Sequence, residues 1–136
     1  MNRHTIVPIG RVHSELKERA KAPKQGWEGA PDAWLEIFPE FAPALDGIAA
    51  DCEILVLTWL HEAQRDALRV HPRDDKTQPL KGVFATRSSD RPNPIGLHRV
   101  RVLEVTSRGW VKVRGLEAID DTPLVDLKPA LTQSAD

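Results

Sequence analysis

Residues 86–97, TRSSDRPNPIGL, combine side chains that hold anions with a backbone of restricted freedom. Arg87 and Arg91 carry guanidinium groups, which can bind a carboxylate or a phosphate through two parallel hydrogen bonds. Pro92 and Pro94 fix the backbone close to these cations. Because long ordered loops are uncommon and often functional, this arginine–proline loop predicts a ligand-binding site. An ordinary long turn is the alternative interpretation.

Two other loops contain polar groups that could contact a ligand: residues 22–27, APKQGW, and residues 120–129, DDTPLVDLKP. An Asx turn is the structural interpretation of Asp120 and Asp121. The functional alternative is a carboxylate that accepts hydrogen bonds from ribose hydroxyls or stabilises a cationic ligand. His61 follows the most apolar run of the chain and opens a polar loop, where binding groups often occur.

Several familiar site signatures are absent from the sequence. It contains no Walker-type or Rossmann glycine motif and no Cys/His pair at zinc spacing, so we expect no metal site. The single cysteine, Cys52, excludes an intrachain disulfide, and its place before an apolar run favours a small buried side chain over a nucleophile. We find neither a signal peptide nor an apolar run of about 20 residues, and therefore expect a cytoplasmic protein without a membrane span.

The charge of the chain is nearly balanced but unevenly distributed. A net charge of −1 over 136 residues argues against a globally basic nucleic-acid binder. Residues 86–114, however, include seven basic and only two acidic residues, whereas residues 28–66 include nine acidic residues and only one arginine. Such a basic stripe can attract phosphates. Solvated strand faces are the alternative explanation.

Short strands must position these loops. Alternation of apolar and polar residues predicts strands at 98–105 and 110–115, and the most apolar run predicts a central, buried strand at 52–60. Shorter apolar stretches predict strands at 4–13, 34–38, 82–86 and 116–119. Gly109 predicts a hairpin turn. One or two helical turns are expected at 39–48, and long connections at 14–33 and 62–81. The pattern favours a mostly β fold with little helix, an antiparallel barrel or sandwich.

Residues 82–96, GVFATRSSDRPNPIG, resemble the signature G-x-F-A-T-R-S-P-x-R-P-N-P-I-G of the TrmO/YaeB/TsaA-like family. The DDTPLVDLKP segment is similar to that family's D-G-T-P-x-x-D-I-K-P, and residues 9–26 and 45–61 resemble its first strand and its helix-to-strand segment. The family consists of S-adenosylmethionine-dependent methyltransferases built on a β-barrel. The resemblance implies a single antiparallel β-barrel domain over residues 1–136, without the additional C-terminal domain of longer relatives.

The resemblance also implies an activity and its partners. Family members methylate N6 of the threonylcarbamoyl-modified adenosine next to the anticodon of a threonine tRNA, at an S-adenosylmethionine site completed by the second subunit of a homodimer. Carried over by position, the cofactor contacts are Pro23, Lys24, Gln25, His61, Glu62, Arg87, Leu97, Asp120, Asp121, Thr122 and Pro123. A rigid wall of the pocket and part of the dimer interface would be formed by Arg91, Pro92, Asn93 and Pro94. The candidate catalytic residues are His61 and Asp120.

The sequence departs from the family pattern at several positions. Ser89 replaces a proline, and Asp121 replaces a glycine, which adds a charge and disfavours a turn with positive φ. Three other functions therefore stay open: an S-adenosylmethionine-binding sensor or adaptor, a methyltransferase for another substrate, and an RNA-binding barrel without a cofactor. The last would show an affinity that falls steeply with salt.

Overall fold

A closed barrel of antiparallel strands forms the centre of the protein in the computed structural model, which describes residues 2–24 and 26–131. The strands are β1 (Gly10–His13), β2 (Ala33–Ile37), β3 (Glu53–Trp59), β4 (Arg69–Val70), β5 (Lys81–Gly82), β6 (Ile95–Val105), β7 (Trp110–Arg114) and β8 (Pro123–Pro129). The barrel order is β1-β2-β7-β6-β3-β8, while β4 and β5 pair separately. Short 3-10 helices lie at Arg19–Lys21, Gly26–Glu28, Pro39–Leu45, Pro72–Asp74 and Val83–Ala85.

Alternate residues of each barrel strand fill the interior. The buried positions are mostly apolar: Val12, Leu35, Ile54, Val56, Val100, Val102, Val111, Val113 and Leu124. At one end this pattern changes, because the inward positions of β3 and β6 there are Thr58, Gly96 and His98. Since Thr58 is paired with Gly96 in the register, these polar groups meet at the point where β3 ends and β6 begins. The barrel therefore has one polar end.

The predicted mostly β barrel with little helix is confirmed. Four barrel strands, β2, β3, β6 and β7, lie within three residues of their predicted bounds. Gly109 has a φ of +84° in the β6–β7 turn, as the hairpin signal predicts. A 3-10 helix occupies Pro39–Leu45, shortly before Gly47. Cys52 is half-buried against the core.

Three strand predictions are wrong in part. The first strand starts at Gly10 rather than at residue 4, and Ile6 and Val7 before it are exposed. Only Gly82 of the predicted strand 82–86 is in a strand; a 3-10 helix, Val83–Ala85, follows because the amide of Thr86 closes a turn on Val83. Residues 116–119 form no strand, and the last strand is β8.

Candidate functional site

An open cleft of about 1040 Å³ lies at the polar end of the barrel. Its floor is formed by the start of β6 and by residues 117–119, and its walls by residues 19–24, 60–63, 71–74 and 85–91. Ligand sites are commonly clefts of about 300–1,000 Å³. The long loops predicted from the sequence thus converge on one concave surface.

Asp90 ties three of these loops together. One of its carboxylate oxygens accepts a hydrogen bond from the Arg19 guanidinium at 2.6 Å and another from the backbone N–H of Gln64 at 2.8 Å. The backbone N–H of Arg91 in turn donates to the Gln64 carbonyl at 3.0 Å. Because Arg19, Gln64 and Asp90 lie in three different loops, these hydrogen bonds hold the walls of the cleft in a fixed arrangement.

A second set of ion pairs joins the first long loop to the loop between β4 and β5. The Lys24 ammonium donates to the Asp74 carboxylate, and Arg73 donates to both carboxylate oxygens of Glu28 at 2.8 and 3.0 Å. The hydrogen bond and the charge of Lys24 lower the pKa of Asp74. This side of the cleft is therefore lined by paired charges.

Arg91 holds the arginine–proline loop in shape. Its guanidinium donates to the carbonyls of Ser88 at 2.7 Å, Val83 at 2.8 Å and Thr86 at 2.6 Å. A half-buried arginine with three carbonyl acceptors is a structural clamp, although it also lines the cleft. Its Nε and Nη2 donors thus serve the backbone, and the expectation that this arginine faces a carboxylate or RNA phosphates stays a prediction.

The other predicted wall residues, Pro92, Asn93 and Pro94, lie beside the cleft and do not line it. The guanidinium of Arg65 donates to the Pro92 carbonyl at 2.8 Å and to the Asn93 side chain at 3.1 Å, and stands 5.1 Å from the Trp59 ring centre. The backbone N–H of Leu60 donates to the carbonyl of buried Pro94. Pro92, Asn93 and Pro94 thus brace the loop from behind.

The structure brings most of the predicted cofactor contacts together. Those that line the cleft are Pro23, Lys24, His61, Glu62, Arg87, Leu97 and Thr122. Gln25 lies outside the described residues. Asp120, Asp121 and Pro123 do not line the cleft, because the chain at 120–123 is fixed to β1 by two backbone hydrogen bonds.

The side chain of Asp120 lies outside the cleft and binds groups of the first long loop. Its two oxygens accept the N–H of Ser14 and the ammonium of Lys17, each at 2.9 Å. Burial acts most strongly, and upward, on the pKa of Asp120, but these two donors together hold that pKa below its ordinary value. The carboxylate proposed as a catalytic group thus fixes the first long loop.

Asp121 has a positive φ, the backbone conformation that we expect an aspartate to disfavour. Its φ is +69°, and its carboxylate lies 3.4 Å from the Arg11 guanidinium on the outer surface. Aspartate tolerates the left-handed region better than most residues, since its short side chain can be satisfied locally. The loss of the family glycine therefore leaves the positive-φ turn intact.

A buried polar network that was not predicted from the sequence lies at the floor of the cleft. His98, only 5% exposed, contacts the Thr58 hydroxyl at 2.7 Å through Nε2 and the Glu117 carboxylate at 2.6 Å through Nδ1. The ring lies so close beneath Gly96 that an added Cβ would be 2.6 Å from Nε2. Val100 and Val102 point into the barrel, and because side chains alternate along a strand, His98 and Gly96 must point inward as well. This period of two could have predicted that His98 is buried.

Other site types find no support in the described part of the chain. Within residues 2–24 and 26–131, no three His, Cys, Asp or Glu side chains are grouped as a metal ion would require. No helix over the same residues has the length and apolar character to cross a membrane.

The comparisons with known proteins agree with this geometry. Residues 11–136 match the protein family described as the tRNA-methyltransferase O N-terminal domain. The chain belongs to this family. A crystal structure of TrmO from Pseudomonas aeruginosa superposes with a TM-score of 0.75 at 31% identity, over 99% of this chain and 60% of the other. Our chain thus spans less than two thirds of that TrmO chain.

Two curated relatives of this TrmO-family chain carry different descriptions. A protein of Methanothermobacter thermautotrophicus, described as a probable S-adenosyl-L-methionine-binding protein, is 44% identical over 91% of this chain and 88% of its own length. A Pseudomonas aeruginosa protein, described as the putative S-adenosylmethionine-dependent methyltransferase RcsF, is 36% identical over 93% of this chain and 54% of its own. Cofactor binding is common to both descriptions, whereas methyl transfer is named in one.

Proposed function

We propose that this TrmO-family protein is an S-adenosylmethionine-dependent methyltransferase that acts on tRNA, at N6 of the threonylcarbamoyl-modified adenosine next to the anticodon. The observation that carries the proposal is the cleft at the polar end of the barrel. It unites seven of the eleven residues that the family resemblance assigns to the cofactor. Those residues come from four separate parts of the chain, so their convergence is a property of the fold.

The chemistry of the cleft fits this cofactor. S-adenosylmethionine carries a carboxylate, an ammonium, a sulfonium and ribose hydroxyls, and the cleft offers both cations and carboxylates. Arg87 is suited to the cofactor carboxylate, and Glu62 to a cationic group or a hydroxyl. The hydroxyl of Thr122 is used within its own turn, where it donates to Ile119 at 2.7 Å, so Thr122 contributes shape.

When bound, the cofactor supplies a methyl group on a cationic sulfur. The residues of this chain then have to hold the substrate nitrogen in line and receive its proton. His61 lines the cleft as a candidate to receive this proton, and its Nε2 lies 3.9 Å from the Glu62 carboxylate. Much of the rate would come from alignment in the rigid cleft. We assign this step to His61 rather than to Asp120, whose carboxylate contacts Ser14 and Lys17 outside the cleft.

We also propose a homodimer in which a second subunit completes the site. Leu68, Leu80 and Phe84, on or beside the β4–β5 sheet, are 69%, 56% and 85% exposed. The Leu68 carbonyl accepts the backbone N–H of Val83, so the chain at residue 68 lies beside residues 83 and 84, next to the cleft-lining residue Ala85. Exposed apolar side chains near a binding cleft suit a protein interface.

The proposal is tested by methyl transfer from labelled S-adenosylmethionine to total tRNA of the host. Digestion and mass spectrometry of the nucleosides should find the label in N6-methylated threonylcarbamoyladenosine. An Arg87→Ala variant should lose both cofactor affinity and transfer. Label in a different nucleoside would replace the proposed substrate, and the absence of any labelled tRNA would contradict the tRNA assignment.

A specific observation favours a second candidate, a cofactor-binding protein that acts on a different substrate or on none. The Methanothermobacter relative, of nearly the same length, is described only by its binding of S-adenosyl-L-methionine. Cofactor binding measured by calorimetry, together with no transfer to tRNA, would support this candidate over the first.

A further inference from the structure

Glu117 differs from the other carboxylates of the cleft in what balances its charge. Asp74 is paired with Lys24, and Asp90 with Arg19. Glu62 is half exposed to water. Glu117 is only 15% exposed, and the contact that the structure gives its carboxylate is the imidazole of His98.

The hydrogen-bond network holds Glu117 in place at the cleft. The imidazole of His98 joins the Glu117 carboxylate, at Nδ1, to the Thr58 hydroxyl, at Nε2. The buried ring thus fixes the position of the carboxylate. Because a charge removed from water is costly unless it is paired, this arrangement suits a ligand that brings the opposite charge.

The position of Glu117 also points to a ligand. Glu117 is one of the residues that form the floor of the cleft, and Gly96 leaves room for the ring that holds it. A carboxylate that served only to fasten residues 116–119 would not need to face the cleft. Those residues are already anchored by buried Leu116, Ala118 and Ile119.

We propose that Glu117, positioned by His98, is the residue that recognises the positive charge on the cofactor's sulfur and so distinguishes S-adenosylmethionine from its neutral product, S-adenosylhomocysteine. This role rests on the cofactor assignment made above but not on the identity of the methyl acceptor. Glu117 would contact the ligand, whereas His98 and Thr58 would act through Glu117.

Calorimetry with three ligands tests this role without an activity assay. S-adenosylmethionine carries the sulfonium, sinefungin carries a protonated amine in its place, and S-adenosylhomocysteine carries neither. Glu117→Gln should weaken the two cationic ligands by about tenfold and S-adenosylhomocysteine by less than about twofold. Glu104→Gln, which removes the same charge from an exposed position of β6, should change none of the three.

Two substitutions of His98 test its positioning role. His98→Asn keeps an N–H donor near the place of Nδ1, whereas His98→Ala removes it. The alanine variant should lose the preference for cationic ligands, and the asparagine variant should recover part of it. If Glu117→Gln does not fold, Glu117→Asp keeps the charge but withdraws it from the ligand, and should reduce the same preference.

The outcomes separate this role from the cofactor assignment. Equal losses for all three ligands in Glu117→Gln, or no loss at all, would overturn the role of Glu117 and leave the cofactor assignment standing. Failure of the wild-type protein to bind any of the three would overturn both.

Discussion

Arg91 shows how one side chain can look like a ligand contact in the sequence and serve the fold instead. Its donors satisfy the carbonyls of Ser88, Val83 and Thr86, three groups that the tight course of the loop leaves without strand partners. A cation in a proline-rich loop thus has two possible uses. The positions of the carbonyls decide between them, and these are fixed only when the chain folds.

Replacement of Arg91 should therefore cost stability. Arg91→Ala leaves three half-buried carbonyls without their charged donor, and we expect the free energy of unfolding to fall by about 2 kcal/mol. Urea unfolding followed by tryptophan fluorescence measures the change. Arg108→Ala, an exposed arginine in the β6–β7 turn, is the matched control and should change stability by less than about 0.5 kcal/mol. Equal stabilities of the two variants would show that Arg91 does not clamp the loop.

The backbone at Asp121 allows a second test at this scale. A β-branched residue is far less tolerant of a φ of +69° than aspartate, so Asp121→Val should lower the free energy of unfolding by about 1–2 kcal/mol. Asp121→Gly, which restores the family residue, should not be destabilised in this way. Thermal unfolding of the two variants compares them directly. A valine variant as stable as the glycine variant would contradict the positive-φ turn.

At the scale of the elements, the sequence predicts the regular strands but not the contacts between side chains at the polar end of the barrel. The strands β6 and β7 follow from their period of two, since each has one face buried in the barrel, and β3 follows from its continuous apolar run. The network of His98 and Glu117 was missed because each residue is unremarkable alone. They meet only when residues 116–119 cross the end of the barrel, a long-range contact that no local pattern encodes.

The anchoring of the first long loop by Asp120 predicts a dependence of stability on pH. The pKa of Asp120 is lowered from its usual value of 3.8, so its contribution is complete above that value and is lost as the pH falls below it. Asp120→Asn should be less stable than the wild type at neutral pH, and the difference should shrink in acid. Unfolding at a series of pH values tests this. A difference that grows in acid would contradict it.

For the whole molecule, the exposed apolar edge near the cleft leads to a prediction about assembly. Phe84→Ser should convert the proposed dimer to a monomer, because Phe84 is 85% exposed on the isolated chain and a polar side chain there removes apolar area from the proposed interface. Analytical ultracentrifugation measures the mass. Val7→Ser, at another exposed apolar position, is the control and should remain dimeric. A monomeric wild type would contradict the proposed homodimer.

The most direct test of the central claim is to locate the cofactor on the protein. Backbone amide shifts of the ¹⁵N-labelled chain can be followed by NMR while S-adenosylmethionine is added. We predict saturable shifts at residues 60–63, 86–91, 96–98 and 117–119, which form the cleft. Amides of Trp34 and Lys112, which line a separate depression, should not move. Shifts centred on that depression, or no saturable shifts at all, would contradict the assignment of the cleft.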